Sequence, residues 1–164
     1  MTLVIKDALP ADVETVAELH TRARATYYRG WIAEEEYLGA RERARTRQGW
    51  QAAVGRGDGS VLCAQRDGEI VGVAAFREVD GQMTLTQLHV DPRAWRQGVG
   101  AALHAVCLDR WRAAGVDRVR LDVYEHNLRA QSFYQALGWA REAPFSGSHF
   151  TLWFDMAQCA RCPP

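Results

Sequence analysis

An α+β fold around one mixed, mostly antiparallel central sheet with flanking helices is predicted by three features of this sequence. Two Asp-Gly pairs, Asp67-Gly68 and Asp80-Gly81, sit between apolar runs, where a tight hairpin needs residues that accept positive φ. Apolar residues recur at helical spacing from Val13 to Ala23 and again from Val99 to Ala114. A strand, a short helix and a last strand then close the chain. Hairpins in the middle and single crossovers after them describe an α+β order.

Taken in order, Leu3 to Ala8 reads as a strand. Pro10 suits the first position of a helix and Asp12 its positive end, and Val13, Val16, Ala17, Leu19 and Ala23 supply the apolar stripe. From Ala25 to Val54 the pattern stays helical, but it is crowded with charge and broken by Gly30, Gly39 and Gly49; most of its aromatics, among them Tyr37 and Trp50, read as core anchors. "VLCAQ" and "IVGVAAF" flank the first Asp-Gly turn, and a third strand, Met83 to Val90, follows the second. In that strand Met83 and Leu85 are apolar on odd positions, whereas Leu88 and Val90 are apolar on even ones. A slip of one residue near Thr86 and Gln87 predicts a β-bulge, which unpairs backbone groups and splays strands. Val99, Leu103, Val106, Cys107 and Trp111 mark the next helix, closed by Gly115. Val119, Leu121 and Val123 alternate as a strand. Asn127 then caps a helix with Ala130, Phe133, Tyr134 and Leu137 on one face, ended by Gly138, and Phe150 to Met156 forms the last strand.

At 164 residues, with 48% hydrophobic and 24% charged positions, the chain suits one soluble domain, residues 1–157, with a tail at 158–164. Twenty basic residues balance twenty acidic ones, so no electrostatic footprint points to nucleic acid or to an anionic membrane. No apolar run reaches the ~18 residues of a membrane span, and Met1 to Pro10 lacks the pattern of a secretory signal, so the expected location is cytoplasmic. Cys63 and Cys107 fall in apolar patterns as small hydrophobes. Cys159 and Cys162 are half a zinc site without a partner pair or a nearby histidine, so no metal is expected.

Gly98 and Gly100 stand at a helix entrance, where each glycine costs roughly 0.5–1 kcal/mol relative to alanine. A strand, a glycine turn and a helix start together make a phosphate-binding layout, because first-turn N–H groups point outward and the helix dipole favours negative charge. A Walker A loop is disfavoured, since Ala101-Ala102 replace the required Lys-Ser/Thr. A dinucleotide fold would want a third glycine at Leu103 and parallel βαβ units, where this chain has hairpins. A tight turn with no ligand stays open on this segment alone.

Two blocks together narrow the choice. "LHVDPRAWRQGVGAAL" and "VRLDVYEHNLRAQSFYQALGW" resemble the acetyl-CoA site of the GNAT superfamily of N-acetyltransferases. There a bulged strand ends in V-x-P and leads to an R/Q-x-x-G-x-G/A loop, and a later helix carries N-x-x-A-x-x-F-Y-x-x-x-G-F/W. The matching positions are Val90-Asp91-Pro92, Gly98-Val99-Gly100, and Asn127, Ala130, Phe133, Tyr134, Gly138 and Trp139. Trp95 departs from the pattern, standing where arginine or glutamine is expected.

The resemblance implies a GNAT-like sheet and direct transfer of acetyl from acetyl-CoA to a primary amine. Amides of Gln97, Gly98, Val99, Gly100 and Ala101 would hold the pyrophosphate, with Arg96 supplying charge. Leu88, His89 and Val90 would pair with the pantetheine arm and donate to the thioester carbonyl. Asn127 would touch the cofactor, and Tyr134 would donate to the departing thiolate. A phenol near 10 is about 1.5 units weaker than a thiol near 8.5, so hydrogen-bond stabilisation of the sulfur, with late proton transfer, is the expected role. The base is open: "MTLTQ" holds no carboxylate, and Glu78, His89 and Glu125 are the substitutes. Tyr27, Tyr28, Trp31 and Trp153 are candidates for lining the acceptor pocket. With no dense acidic patch to receive a polybasic peptide, the expected acceptor is a small-molecule amine, and the resemblance is compatible with a homodimer. The alternatives are a non-catalytic acetyl-CoA-binding sensor or scaffold, and an enzyme acting on protein N-termini or lysines.

Overall fold

The structure, a computed structural model, describes residues 2–142 and 147–161, the side chains as far as residue 158. It contains a seven-stranded sheet in the order β1-β2-β3-β4-β5-β7-β6. The strands are β1 (Leu3–Asp7), β2 (Val61–Arg66), β3 (Glu69–Val79), β4 (Gln82–Val90), β5 (Arg118–Tyr124), β6 (Ala140–Arg141) and β7 (His149–Asp155). The helices are α1 (Val13–Tyr28), α2 (Glu34–Leu38), α3 (Ala40–Gly55), α4 (Val99–Ala113) and α5 (Leu128–Ala136). The chain divides into two compact units, and the division runs through β3, β4 and α4.

The first unit holds residues 1–75 and 87–106. Strand β1 runs antiparallel to β2, with Ile5 opposite Ala64, and β2 antiparallel to β3, with Val61 opposite Ala75. Asp67 (φ 53°) and Gly68 (φ 82°) both turn left-handed, as the hairpin demands. Ala64 pairs with Gly72 but Gln65 with Ile70, so Val71 is one residue too many for its partner strand. The carbonyl freed in this way accepts the Asp91 N–H at 2.9 Å. At the entrance to α1, Asp12 Oδ2 accepts the Leu9 N–H at 2.8 Å and Lys6 Nζ at 3.0 Å. The predicted stripe of α1 packs Val13, Val16, Ala17 and Leu19 with Trp50 and Val54 of α3 and with Val61, Cys63 and Val73 of the strands. Gly49 does not break α3, contrary to the sequence reading; it lies on the exposed side of an unbroken helix.

At Gly72 the strand β3 and the helix α4 approach closely. A Cβ there would lie 2.8 Å from Val99 Cγ1, 3.0 Å from Leu103 Cδ1 and 3.3 Å from the His89 carbonyl oxygen. Gly72→Ala is therefore expected to destabilise the protein by about 1–3 kcal/mol, the usual range for overpacking. A fall in the urea midpoint at constant m-value would show it; an unchanged midpoint would contradict the close approach.

The second unit holds residues 76–86 and 107–164. Thr84 pairs in parallel with Arg120, and β5 runs antiparallel to β7, with Leu121 opposite Leu152. Burial alternates along β5 as predicted, with Val119, Leu121 and Val123 inward. The core is aromatic: Trp111 is fully buried, edge-on to Phe76 (5.5 Å) and to Trp139 (6.5 Å), and Trp139 packs on Phe154 (5.4 Å). Strand β6 escaped the sequence reading because two residues carry no period; it pairs Ala140 with Trp153. Met156–Arg161 form a 3-10 segment, and Cys162 lies outside the described residues. Strand β4 passes from the second unit to the first between Thr86 and Gln87, where its apolar alternation slips.

Candidate active site

The glycine turn is held in place from both sides. Asp91, 2% exposed, accepts the Arg93 N–H at 3.0 Å on Oδ1, and on Oδ2 it accepts Arg93 Nη2 at 2.8 Å and Arg22 Nη2 at 3.1 Å. The Arg93 hydrogen bonds first, and then Arg22, outweigh burial and hold this carboxyl at about 2. A folded-state value below the unfolded ~3.9 means that stability is gained above pH 4 and lost as pH falls toward 2. Asp91→Asn is accordingly expected to cost about 2 kcal/mol at neutral pH. The gap from the parent should narrow in acid melts between about pH 4 and pH 2; a constant gap would mean the charge is not what matters.

Trp95, the departure from the motif, has a job of its own: its indole Nε1 donates to the Val90 carbonyl at 3.1 Å and ties the loop back to the strand end. Gln97 donates to the Arg93 carbonyl at 3.2 Å and receives the Arg66 guanidinium on its side-chain oxygen. Arg96 (φ 60°) and Gly98 (φ 80°) take left-handed conformations. The first acceptor of α4 is the Gly98 carbonyl, bonded by the Ala102 N–H at 3.0 Å. Val99, Gly100 and Ala101 therefore present first-turn amides with no acceptor upstream in the helix, at the positive end of its dipole. A Cβ built at Gly98 meets no atom within 4 Å among the described residues, so the backbone just ahead of these amides is not covered there. This cradle fits a diphosphate.

Leu88, His89 and Val90 end β4 ahead of this turn. The His89 ring stacks on His20 of α1 at 4.1 Å, and its Nε2 meets Gln87 Oε1 at 2.6 Å. Trp50 Nε1 donates to His20 Nδ1 at 3.1 Å. Burial, reinforced by the Arg24 charge, brings His89 down to about 3; burial, then His89 and Arg24, push His20 far below the ordinary histidine value. Both rings are thus neutral across the physiological range, which makes His89 a hydrogen-bond partner and a weak proton acceptor. Tyr27 and Tyr28 meet edge to face at 4.7 Å, and Tyr28 reaches Tyr37 at 5.8 Å. Burial raises the Tyr27 hydroxyl well above its usual range. Trp31 is 62% exposed, so it is no core anchor.

In the second unit, Asn127 is the cap the sequence predicts: its Oδ1 accepts the Ala130 N–H at 3.2 Å, and its own N–H goes to the Tyr124 carbonyl at 2.9 Å. Tyr134 is buried on α5, edge-on to Phe133 (5.2 Å) and Trp139 (5.6 Å). Trp153 carries the Arg118 guanidinium 3.7 Å above its ring. Of the other substitute bases, Glu78 is exposed and Glu125 lies 3.6 Å from His126 Nε2. The sequence reading missed His20, Arg24 and the structural duties of Asp91 and Trp95. A signal for the first two existed, since positions 13, 17, 20 and 24 continue one buried side of α1.

Compared with known proteins, residues 13–139 match the acetyltransferase (GNAT) family, a span that includes both the glycine turn and the Asn127–Trp139 block. The chain belongs to the GNAT acetyltransferase family. Its fold is that of PaiA N-acetyltransferase from Thermoplasma acidophilum, a structure in complex with coenzyme A: TM-score 0.85, 22% identity, covering 94% of this chain and 99% of that one. YncA of Salmonella typhimurium, a structure with acetyl-CoA, matches with TM-score 0.71 and 18% identity over 95% of each chain. Among curated sequences, mycothiol acetyltransferase of Sanguibacter keddieii is 39% identical over 90 residues, 51% of this chain and 29% of that protein. The Beutenbergia cavernae mycothiol acetyltransferase is 49% identical over 51 residues, 31% of this chain and 17% of the relative. The matches therefore span less than a third of those proteins' length. Among the described residues, no helix is long and apolar enough to cross a membrane.

Proposed function

We propose that this GNAT acetyltransferase acetylates a primary amine of a small molecule, and that the turn from β4 into α4 is its donor site. The observation that carries this reading is the run of first-turn amides at Val99, Gly100 and Ala101 that follows a left-handed, unobstructed Gly98. These amides, with that of Gln97, hold the pyrophosphate, and Arg96 adds positive charge. The ends of Leu88, His89 and Val90 lie along the pantetheine arm. The Val90 carbonyl already accepts the Trp95 indole, which fixes the strand end beside the arm. Asn127 contributes from the start of α5 while capping it.

Transfer requires the deprotonated amine to attack the thioester carbonyl, the C–S bond to break, and one proton to travel from nitrogen to sulfur in net balance. Backbone N–H groups at the end of β4 stabilise the oxyanion. The Tyr134 hydroxyl donates to the leaving sulfur. A lysine-like amine of pKa ~10.4 pays about 4–5 kcal/mol to lose its proton at pH 7, whereas an α-amino group near 8 pays about 1 kcal/mol. With His89 so weakly basic, an α-amino acceptor or a water relay suits this site better than a lysine-like amine.

The test is a thiol-release assay with acetyl-CoA and a panel of α-amines, polyamines, aminoglycosides, lysine peptides and N-terminal peptides. Turnover confined to small amines is the expected result. Thermal stabilisation by acetyl-CoA without thiol release from any acceptor would leave a binding domain in place of an enzyme.

A further inference from the structure

Arg24 is a buried cation that the fold satisfies only in part. It lies one helical turn beyond His20 on α1, and its side chain is 7% exposed. Nη1 donates to Glu42 Oε1 of α3 at 3.3 Å. Nε and Nη2 are shut off from water and donate to no group among the described residues. Natural interiors leave few donors unmade, and a buried guanidinium is costly unless its remaining hydrogens are satisfied. The pair left over is chemically specific. Nε–H and the Nη2–H on the same side point in parallel, which is the edge that accepts both oxygens of a carboxylate at once.

We propose that Arg24 is the recognition site for a carboxylate on the acceptor, so that the acetylated amine belongs to a molecule of amino-acid type. This rests on the acetyltransferase reading above and narrows its substrate class. The position supports it: the Arg24 charge acts on His20, on His89 at the end of β4, and on Tyr27 three residues further along the same helix. These are the residues around which donor and acceptor are expected to meet. Charge selects the anion. Glu42 already offsets part of the guanidinium, and both neighbouring imidazoles are neutral, so a monoanionic carboxylate leaves less uncompensated charge than a phosphate dianion would. His20, whose Nδ1 accepts from Trp50, keeps its other ring nitrogen as an N–H donor in the neutral form. The acceptor gains access by displacing the side chains that now shield the fork, and the pair then forms out of water, where a charge-assisted bond is strong.

The experiment compares L-amino acids with their amino-acid amides and their decarboxylated amines as acceptors for the full-length enzyme with acetyl-CoA. The carboxylates are expected to show kcat/KM at least a hundredfold higher. Arg24→Lys, which keeps the charge and loses the fork, should erase at least tenfold of that preference through acceptor KM, leaving KM for acetyl-CoA unchanged. Equal use of carboxylates and amides, or a preference that survives Arg24→Lys in a folded variant, overturns the proposal. Calorimetric binding of an N-acetyl amino acid to the coenzyme A complex separates the two readings. Arg24-dependent binding without any turnover would sink the enzyme and keep the carboxylate site, whereas turnover of uncharged amines only would do the reverse.

Discussion

Gly98→Val is expected to weaken coenzyme A binding more than a hundredfold while leaving the fold intact. Two effects combine. At φ 80° a β-branched residue is a steric outlier, which costs roughly 1–2 kcal/mol of stability. The larger effect is expected on the ligand: a Cβ at Gly98 points into unfilled space next to the Val99, Gly100 and Ala101 amides in sequence, and an isopropyl group placed there is expected to obstruct a diphosphate bound on them. Calorimetric titration with coenzyme A, beside a thermal melt, distinguishes the two. Loss of affinity with a melt lowered by only a few degrees is the expected pair of results, and Gly98→Ala should fall between parent and valine. Unchanged affinity in Gly98→Val would move the diphosphate away from this turn.

Tyr134→Phe should lower turnover about a hundredfold and leave KM for acetyl-CoA within a factor of two. General-acid assistance contributes in that range, and a group acting only as the C–S bond breaks affects kcat rather than ground-state binding. The substitution removes one oxygen and keeps the ring that Phe133 and Trp139 pack against. Equal losses in turnover and in cofactor affinity would assign Tyr134 to packing.

What was legible in the sequence followed from backbone chemistry with few solutions. Asp67-Gly68 and Asp80-Gly81 turn where only residues tolerant of positive φ can, and all four have it. Asn127 caps because its side chain can replace a missing helical acceptor, and it does. Gly49 misled because an exposed helix position tolerates a glycine at small cost when Trp50 and Val54 beside it are anchored in the core. Strand β6 is too short to show a period, and its partner in β7 is known only once the chain is folded. The site was half legible. The glycine turn announces itself by composition, but Arg24 reads as one more surface arginine among many. Only its place on the inward side of α1 reveals the difference, and that depends on packing against α3.

The stacked pair of His20 and His89 also bears on how the rate varies with acidity. Neither imidazole gains a proton above pH 5, and His104, brought down by burial to about 4, does not either. These three rings cannot produce an ascending limb near neutrality. The expected source of a rise in kcat/KM between pH 6 and 9 is the acceptor's own ionisation, and its midpoint should then travel with the acceptor when amines of different basicity are compared; a midpoint that stays fixed would assign it to the protein. A midpoint that moves in this way makes the pH profile a fingerprint of the molecule acetylated, set apart from the ionisation of His20, His89 and His104.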